Sequence, residues 1–379
     1  MNQPILDIFS ANQSGKTMSL PVDLSMITDE STDGFVSTLA DCTVTDAKKV
    51  VVLIGHDTPN STVEVGAAQR KLIRFALDRG IALESCQGIG YLRMLEAYCG
   101  KNQVIAGCGR HMAGFGAVGS LGIQVTEAQL ADCMATNKID ITIPEIFTIN
   151  LTGALMDAVS MSDAALTLLH LLPREAVINK LVVMTGEALG RLTVHERYDL
   201  CHLMNVAGAF SALISEGADQ GAPDFTLALQ DIKPVLALPG DICRIGSFGG
   251  TAPVTVNEVF IGGCRGGKIE DLRAAAAAVQ GNKIAYRVRM VVAPATSETY
   301  IQAIQEGLLQ IFLDFGAVVM NQGCSVCWGK AQGYLDDGEV LVSTGSYNHA
   351  GCCGSPKANV YLVSPVVAAQ CAITGVLQK

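Results

Sequence analysis

The stretch VFIGGCRGGKIEDLR, residues 259–273, decides how the chain is read. Cys264 follows a predicted strand and is flanked by glycines, which let backbone approach a bulky ligand closely. A second such stretch, GCSVCWG at residues 323–329, places Cys324 and Cys327 on another glycine-flanked loop. One lone cysteine plus a Cys-x-x-Cys, all on loops, can hold three irons of a cubane cluster and leave the fourth iron open. Spacing leaves other readings standing: three thiols can be inert core residues, and a bare Cys-x-x-Cys also suits a redox pair or zinc.

Working outward, the 379 residues suggest two or three domains. Apolar residues make up 49% and charged residues 16%, the composition of a core-rich globular chain. Aromatics are only 5%, so the core is expected to be aliphatic. No apolar run has the length of a membrane span. The opening MNQP lacks a basic region leading into an apolar one, so no export signal is expected. Thirteen cysteines without such a signal imply a reducing cytoplasm and free or metal-bound thiols. A net charge of -10 argues against a groove for nucleic-acid phosphates.

An α/β rhythm begins near residue 49. Residues 49–54 read as a buried strand, 62–79 as a helix ended by Gly80, and 81–84 as the next strand. The unit recurs as strand 287–292, helix 297–315 ended by Gly316, and strand 317–320, which predicts two related α/β domains. Between them, 141–152 reads as a strand with a turn, and 162–172 and 197–214 as helices. Turn-rich breaks at 220–224 and 239–251 complete a division into domains 1–145, 146–250 and 251–379. The opening 45 residues show little pattern. NQSGKT at 12–17 imitates half a phosphate loop but has Ser10 where glycine is needed. GFGAVG at 114–119 matches a dinucleotide fingerprint by letters, yet residues 107–113 intervene after the preceding strand.

Residues 259–273 resemble the aconitase family, in particular its isopropylmalate isomerase large subunits, which read VFIGSCTNGRIEDLR there. The family's other two cluster cysteines lie in a CGPC, matched by Cys324 to Cys327. Segments at 125–136, 186–209, 338–344 and 361–365 are similar as well. The resemblance implies an aconitase-like fold of three α/β domains around a central cleft. It implies a 4Fe-4S cluster on Cys264, Cys324 and Cys327, whose open iron polarises a substrate hydroxyl during dehydration. In these isomerases the base, a serine, sits on a separate small subunit, so a small-subunit partner is implied.

The rest of the family's site carries over unevenly. His56 keeps its place, but the aspartate before it is Gly55, with Asp57 following. The family's GDSH segment falls at residues 107–111, which keeps His111 and puts Cys108 near the lost aspartate. A further histidine falls at Tyr91, an asparagine at His202, a glutamate at Val206, and two arginines at Tyr347 and Cys352, beside Ser346. Arginine is the usual bidentate partner of a carboxylate, so these losses disfavour a di- or tricarboxylate substrate.

His56 and His111 are therefore the expected catalytic pair. Tyr91, Cys108, His202, Arg265, Ser346, Tyr347 and Cys352 are expected to line the substrate pocket, with Lys268 solvated. The expected function is an iron-sulfur hydro-lyase acting on a hydroxylated small molecule. The alternatives are a non-catalytic, redox or sulfur-handling cluster protein, its fourth position closed by Cys108 or Cys352, and a cluster-free binding partner.

Overall fold

Parallel strands in one repeated order build the frame. The computed structural model describes residues 4–31, 33–157, 159–216, 222–248, 253–329 and 332–378. The first sheet runs Ala82–Ser85, Val50–Ile54, Leu24–Thr28, Val104–Gly107, Leu121–Gln124, all parallel. In chain order this is 3-2-1-4-5. The third sheet repeats that order with Val318–Val319, Arg289–Val292, Glu258–Ile261, Val340–Ser343 and Asn359–Leu362. Leu236–Ala237 and Ile245–Gly246 extend it antiparallel at the Asn359–Leu362 edge. Between these two lies a parallel four-stranded sheet: Ser211–Ile214, Leu181–Thr185, Ile146–Thr152, Phe225–Ala228.

The recurrence read from the sequence is thus a shared topology. The run VVVLI at Val50–Ile54 is buried at every position, as a strand covered on both faces must be. Helix Val63–Arg79 follows, capped by Thr62 at its start and by left-handed Gly80 at its end.

Several expectations give way. The opening 45 residues contain the central strand of the first sheet, Leu24–Thr28, buried throughout although Ser25 and Thr28 break its apolar pattern. The helix expected over 197–214 is Val194–Val206 followed by the strand Ser211–Ile214; Gly208, at φ +91°, turns the chain between them. The helix expected over 297–315 is split by Gly307 into Ser297–Gln305 and Leu308–Phe315. The third sheet already includes residues 236–246, ahead of the 250/251 division, which itself falls outside the described residues, as do 220 and 221 of the 220–224 break. NQSGKT leads into the strand Thr17–Pro21, not into the helix a phosphate loop requires. Residues 114–118 of GFGAVG lie in the 3₁₀ segment Met112–Val118, which left-handed Gly119 ends; Gly114 abuts the Tyr198 ring and Gly116 the Ala212 carbonyl, so these two serve close packing.

The first and third sheets meet through the loops at their carboxyl ends. Ile89 N–H donates to the Ala295 carbonyl at 2.9 Å, and Ser297 N–H to that of Gln87 at 2.9 Å. Asn321 Nδ2 reaches the Thr58 carbonyl at 2.7 Å, and Gln322 Nε2 that of Cys86 at 2.6 Å. Arg93 spans the seam, bonding Glu84 and Glu96 on one side and Glu298 on the other. Ligands of open parallel sheets bind at such carboxyl ends, where the strand order reverses.

Candidate active site

Cys264, Cys324 and Cys327 line one cavity of about 360 Å³ at this seam. Cys264 stands in the short helix Gly263–Gly266, directly after the central strand Glu258–Ile261. Cys324 and Cys327 flank the tight turn after Val318–Val319, where Ser325 adopts φ +47°. Cys327 lies against the backbone of Gly345, where a Cβ would come within 3.1 Å of its Sγ.

All thirteen cysteines are free thiols, so Cys324 and Cys327 form no disulfide. A tetrahedral zinc, with bonds of about 2.3 Å to sulfur, would need its thiolates within about 4 Å of one another. Among the described residues the three thiols form no group with ligand atoms all within 4.8 Å; only His111, His202 and Cys264 do. The cysteine triangle is thus wider than a single ion needs. Burial pushes all three thiols upward, Cys327 to about 12, and repulsion from neighbouring thiols adds to it at Cys324 and Cys327. Such a site gains from a cationic group that takes the thiolates. The Ser346 hydroxyl lies 3.2 Å from Cys264 Sγ, within hydrogen-bonding reach of that sulfur. The Tyr198 hydroxyl sits near the same sulfur without a hydrogen bond of ordinary geometry. The donor set fits a multi-iron cluster.

Opposite the cysteines stands His56, at the end of Val50–Ile54. Its Nδ1 is 2.8 Å from Asp29 and its Nε2 3.1 Å from Glu30. Both acids follow the central strand Leu24–Thr28. Asp29 also accepts the backbone N–H groups of Gly55 and His56. Burial alone would depress the imidazole, but the Glu30 and Asp29 carboxylates carry it up to about 10. Burial alone would raise Glu30; His56 and the Tyr91 hydroxyl, 2.5 Å away, hold it at about 2. The aspartate missing before His56 is thus replaced from a neighbouring strand. Asp57 does not serve: its carboxylate holds the N–H and hydroxyl of Ser61.

His111 follows the fourth strand of the first sheet, and its Nε2 lies 3.0 Å from the Tyr347 hydroxyl. Its Nδ1 is buried without a partner. Burial, then the nearby charges of His56 and Arg110, hold it down at about 4, against the pull of Glu30. One buried histidine is therefore charged and its neighbour neutral. His202 is buried behind them, stacked on Tyr198 with centroids 4.9 Å apart and 3.2 Å from the Ser346 hydroxyl. Burial keeps it neutral too.

Of the expected pocket residues, Tyr91, Tyr347 and Cys352 line the cavity, while Ser346 and His202 stand behind its wall. Two expectations are corrected. Cys108 packs against the core of the first sheet and not on the cavity wall. Arg265 is fully buried, its guanidinium held by the Gly345 carbonyl and the Ser162 hydroxyl, so it faces the protein and not the cavity. Lys268, expected in solvent, is 2% exposed and paired with Asp199 at 2.8 Å and Asp271 at 3.0 Å. Asp29, Glu30, Arg110 and Trp328 belong to the site and were not anticipated. The two acids were findable only by recognising the Ser- and Thr-broken strand before them.

Two like-ordered parallel sheets meeting carboxyl end to carboxyl end around three thiols define an aconitase-like α/β fold. The solved structure of Thermococcus kodakaraensis aconitase X (holo-form) matches it with a TM-score of 0.55 at 9% identity, over 99% of this chain and 91% of that one. The chain is 31% identical over 395 residues to the 3-isopropylmalate dehydratase large subunit of Clostridium kluyveri, covering 96% of this chain and 93% of that protein. It is 30% identical over 387 residues to the homoaconitase large subunit of Thermus thermophilus, covering 96% and 93%. Residues 40–220 and 247–375 match the model of the aconitase family (aconitate hydratase), and the chain belongs to that family.

Proposed function

We propose that this protein is the large subunit of an iron-sulfur hydro-lyase acting on a hydroxylated small molecule. The observation that carries the reading is the convergence of three free thiols, too widely spaced for one ion, on a cavity that also holds a charged His56. Cys264, Cys324 and Cys327 would hold a 4Fe-4S cluster. When bound, such a cluster supplies a Lewis-acidic iron that weakens a substrate C–O bond.

The chain's own groups handle the protons. Asp29 at Nδ1 fixes the His56 ring and keeps it protonated. His56 gives its Nε2 proton to the departing hydroxyl, which leaves as water while the neighbouring C–H is deprotonated and the alkene forms. His111, neutral and 3.0 Å from the Tyr347 hydroxyl, positions that phenol at the cavity wall. Tyr91, Tyr347 and Trp328 wall the cavity with aromatic faces. Among the described residues, no serine lines this cavity. The relatives above are named as large subunits, and a small subunit carrying the base is the partner this reading requires.

Anaerobic purification tests it. The wild type should be brown, with about four irons per chain, and Cys324→Ala should lose both colour and iron while remaining folded. A colourless, iron-free wild type that still folds would overturn the reading.

A further inference from the structure

We propose that Arg110 anchors a single substrate carboxylate at the mouth of this cavity. The substrate is then a hydroxylated monocarboxylate. This deepens the hydro-lyase reading and rests on it.

Arg110 precedes His111 on the loop after Val104–Gly107 and is exposed. It lines both the cysteine cavity and an adjoining cavity of about 410 Å³, with Tyr347 in the wall between them. Its guanidinium makes no hydrogen bond or ion pair among the described residues, while its charge is felt at both His111 and Tyr347. An unpaired guanidinium at a cavity mouth presents its donors in the fork that a carboxylate matches. No other arginine or lysine lines this cavity among the described residues. The two nearest the cysteines in sequence are buried inside the protein: Lys268 pairs with Asp199 and Asp271, and Arg265 donates to the Gly345 carbonyl and the Ser162 hydroxyl, its Nη2 left without a partner.

The deep end has the opposite character. Asp29 and Glu30 both engage His56 there, at 2.8 Å and 3.1 Å. No arginine or lysine stands at that end among the described residues to receive a second substrate carboxylate. Between mouth and deep end, Tyr91, Tyr347 and Trp328 offer aromatic faces suited to an uncharged body.

Two acids with the same isopropyl body test this by calorimetry on the anaerobic, cluster-loaded chain: 2-hydroxy-3-methylbutanoate, with one carboxylate, and 3-isopropylmalate, with two. The monocarboxylate should bind about tenfold tighter or more, a difference of about 1.4 kcal/mol. Arg110→Gln should weaken it by a similar factor and Arg110→Lys by less. Because Arg110 is exposed, its variants should keep the wild-type melting curve. Equal or tighter binding of the dicarboxylate, an unchanged affinity in Arg110→Gln, or no binding of either acid would overturn the inference. Iron content, measured on the same samples, separates these outcomes from failure of the hydro-lyase reading, which an iron-free protein alone would signal.

Discussion

His56 is the residue whose chemistry depends most on its neighbours. Folded, it ionises at about 10 against 6.5 when free, because Glu30 and Asp29 overcome its burial. The folded state therefore holds a proton that the unfolded chain releases between those values. The stability from this pairing is complete below about pH 6.5 and drains away as pH rises through about 10. Glu30 acts at the other end: held at about 2 rather than 4.5, it contributes above pH 4.5 and its share is lost as pH falls through about 2. Thermal melts should show a plateau between these limits and an alkaline decline, which Asp29→Asn should flatten. An unaltered decline in that variant would remove Asp29 from the account. At this scale the cysteines were legible because thiols flanked by glycine are distinctive. The acids were not, because Leu24–Thr28 carries Ser25 and Thr28 on a buried strand and so lacks the continuous apolar run that marks Val50–Ile54.

Among the elements, equivalent loops of the two like-ordered sheets supply the site in pairs. After the central strands come Asp29 and Glu30 in one sheet and Cys264 in the other. After the third strands come Tyr91 in one, and Cys324 and Cys327 in the other; after the fourth come His111 in one and Tyr347 in the other. The recurrence was visible as strand, helix, glycine, strand, but the facing of the two sheets was not, because it rests on loop-to-loop contacts that carry no periodicity. One of those loops tolerates no side chain: a Cβ on Gly55 would sit 1.8 Å from the Gly88 carbonyl oxygen. Gly55→Ala should therefore cost about 2 kcal/mol or more, and it should also lower iron content, since the shift carries His56 and the Gln87–Ala295 seam with it. A variant with the wild-type melting temperature and iron content would show that this contact is soft.

For the whole molecule, the aconitase-like fold was legible from the cysteine stretches and the α/β rhythm. The middle sheet was only half legible, since the strand Ser211–Ile214 continues the apolar pattern of the helix before it. No helix among the described residues is long and apolar enough to cross a membrane. If the missing base belongs to a small subunit, the chain alone should bind its substrate yet show no dehydration until that subunit is added. Turnover by the purified chain alone would place the base within it.

The pairing of His111 with Tyr347 also sets a schedule. Those residues are 236 positions apart, and Cys264, Cys324 and Cys327 all belong to the last third of the chain. At a ribosomal pace of 5–20 residues per second, roughly 10–50 s separate the emergence of the two partners. Throughout that interval the acid pair, His56 and the loops of the first sheet have no opposite wall. On the proposed reading, the group these cysteines hold can be loaded only after Cys327 has emerged, and until then the carboxyl-end loops of the first sheet stand uncovered.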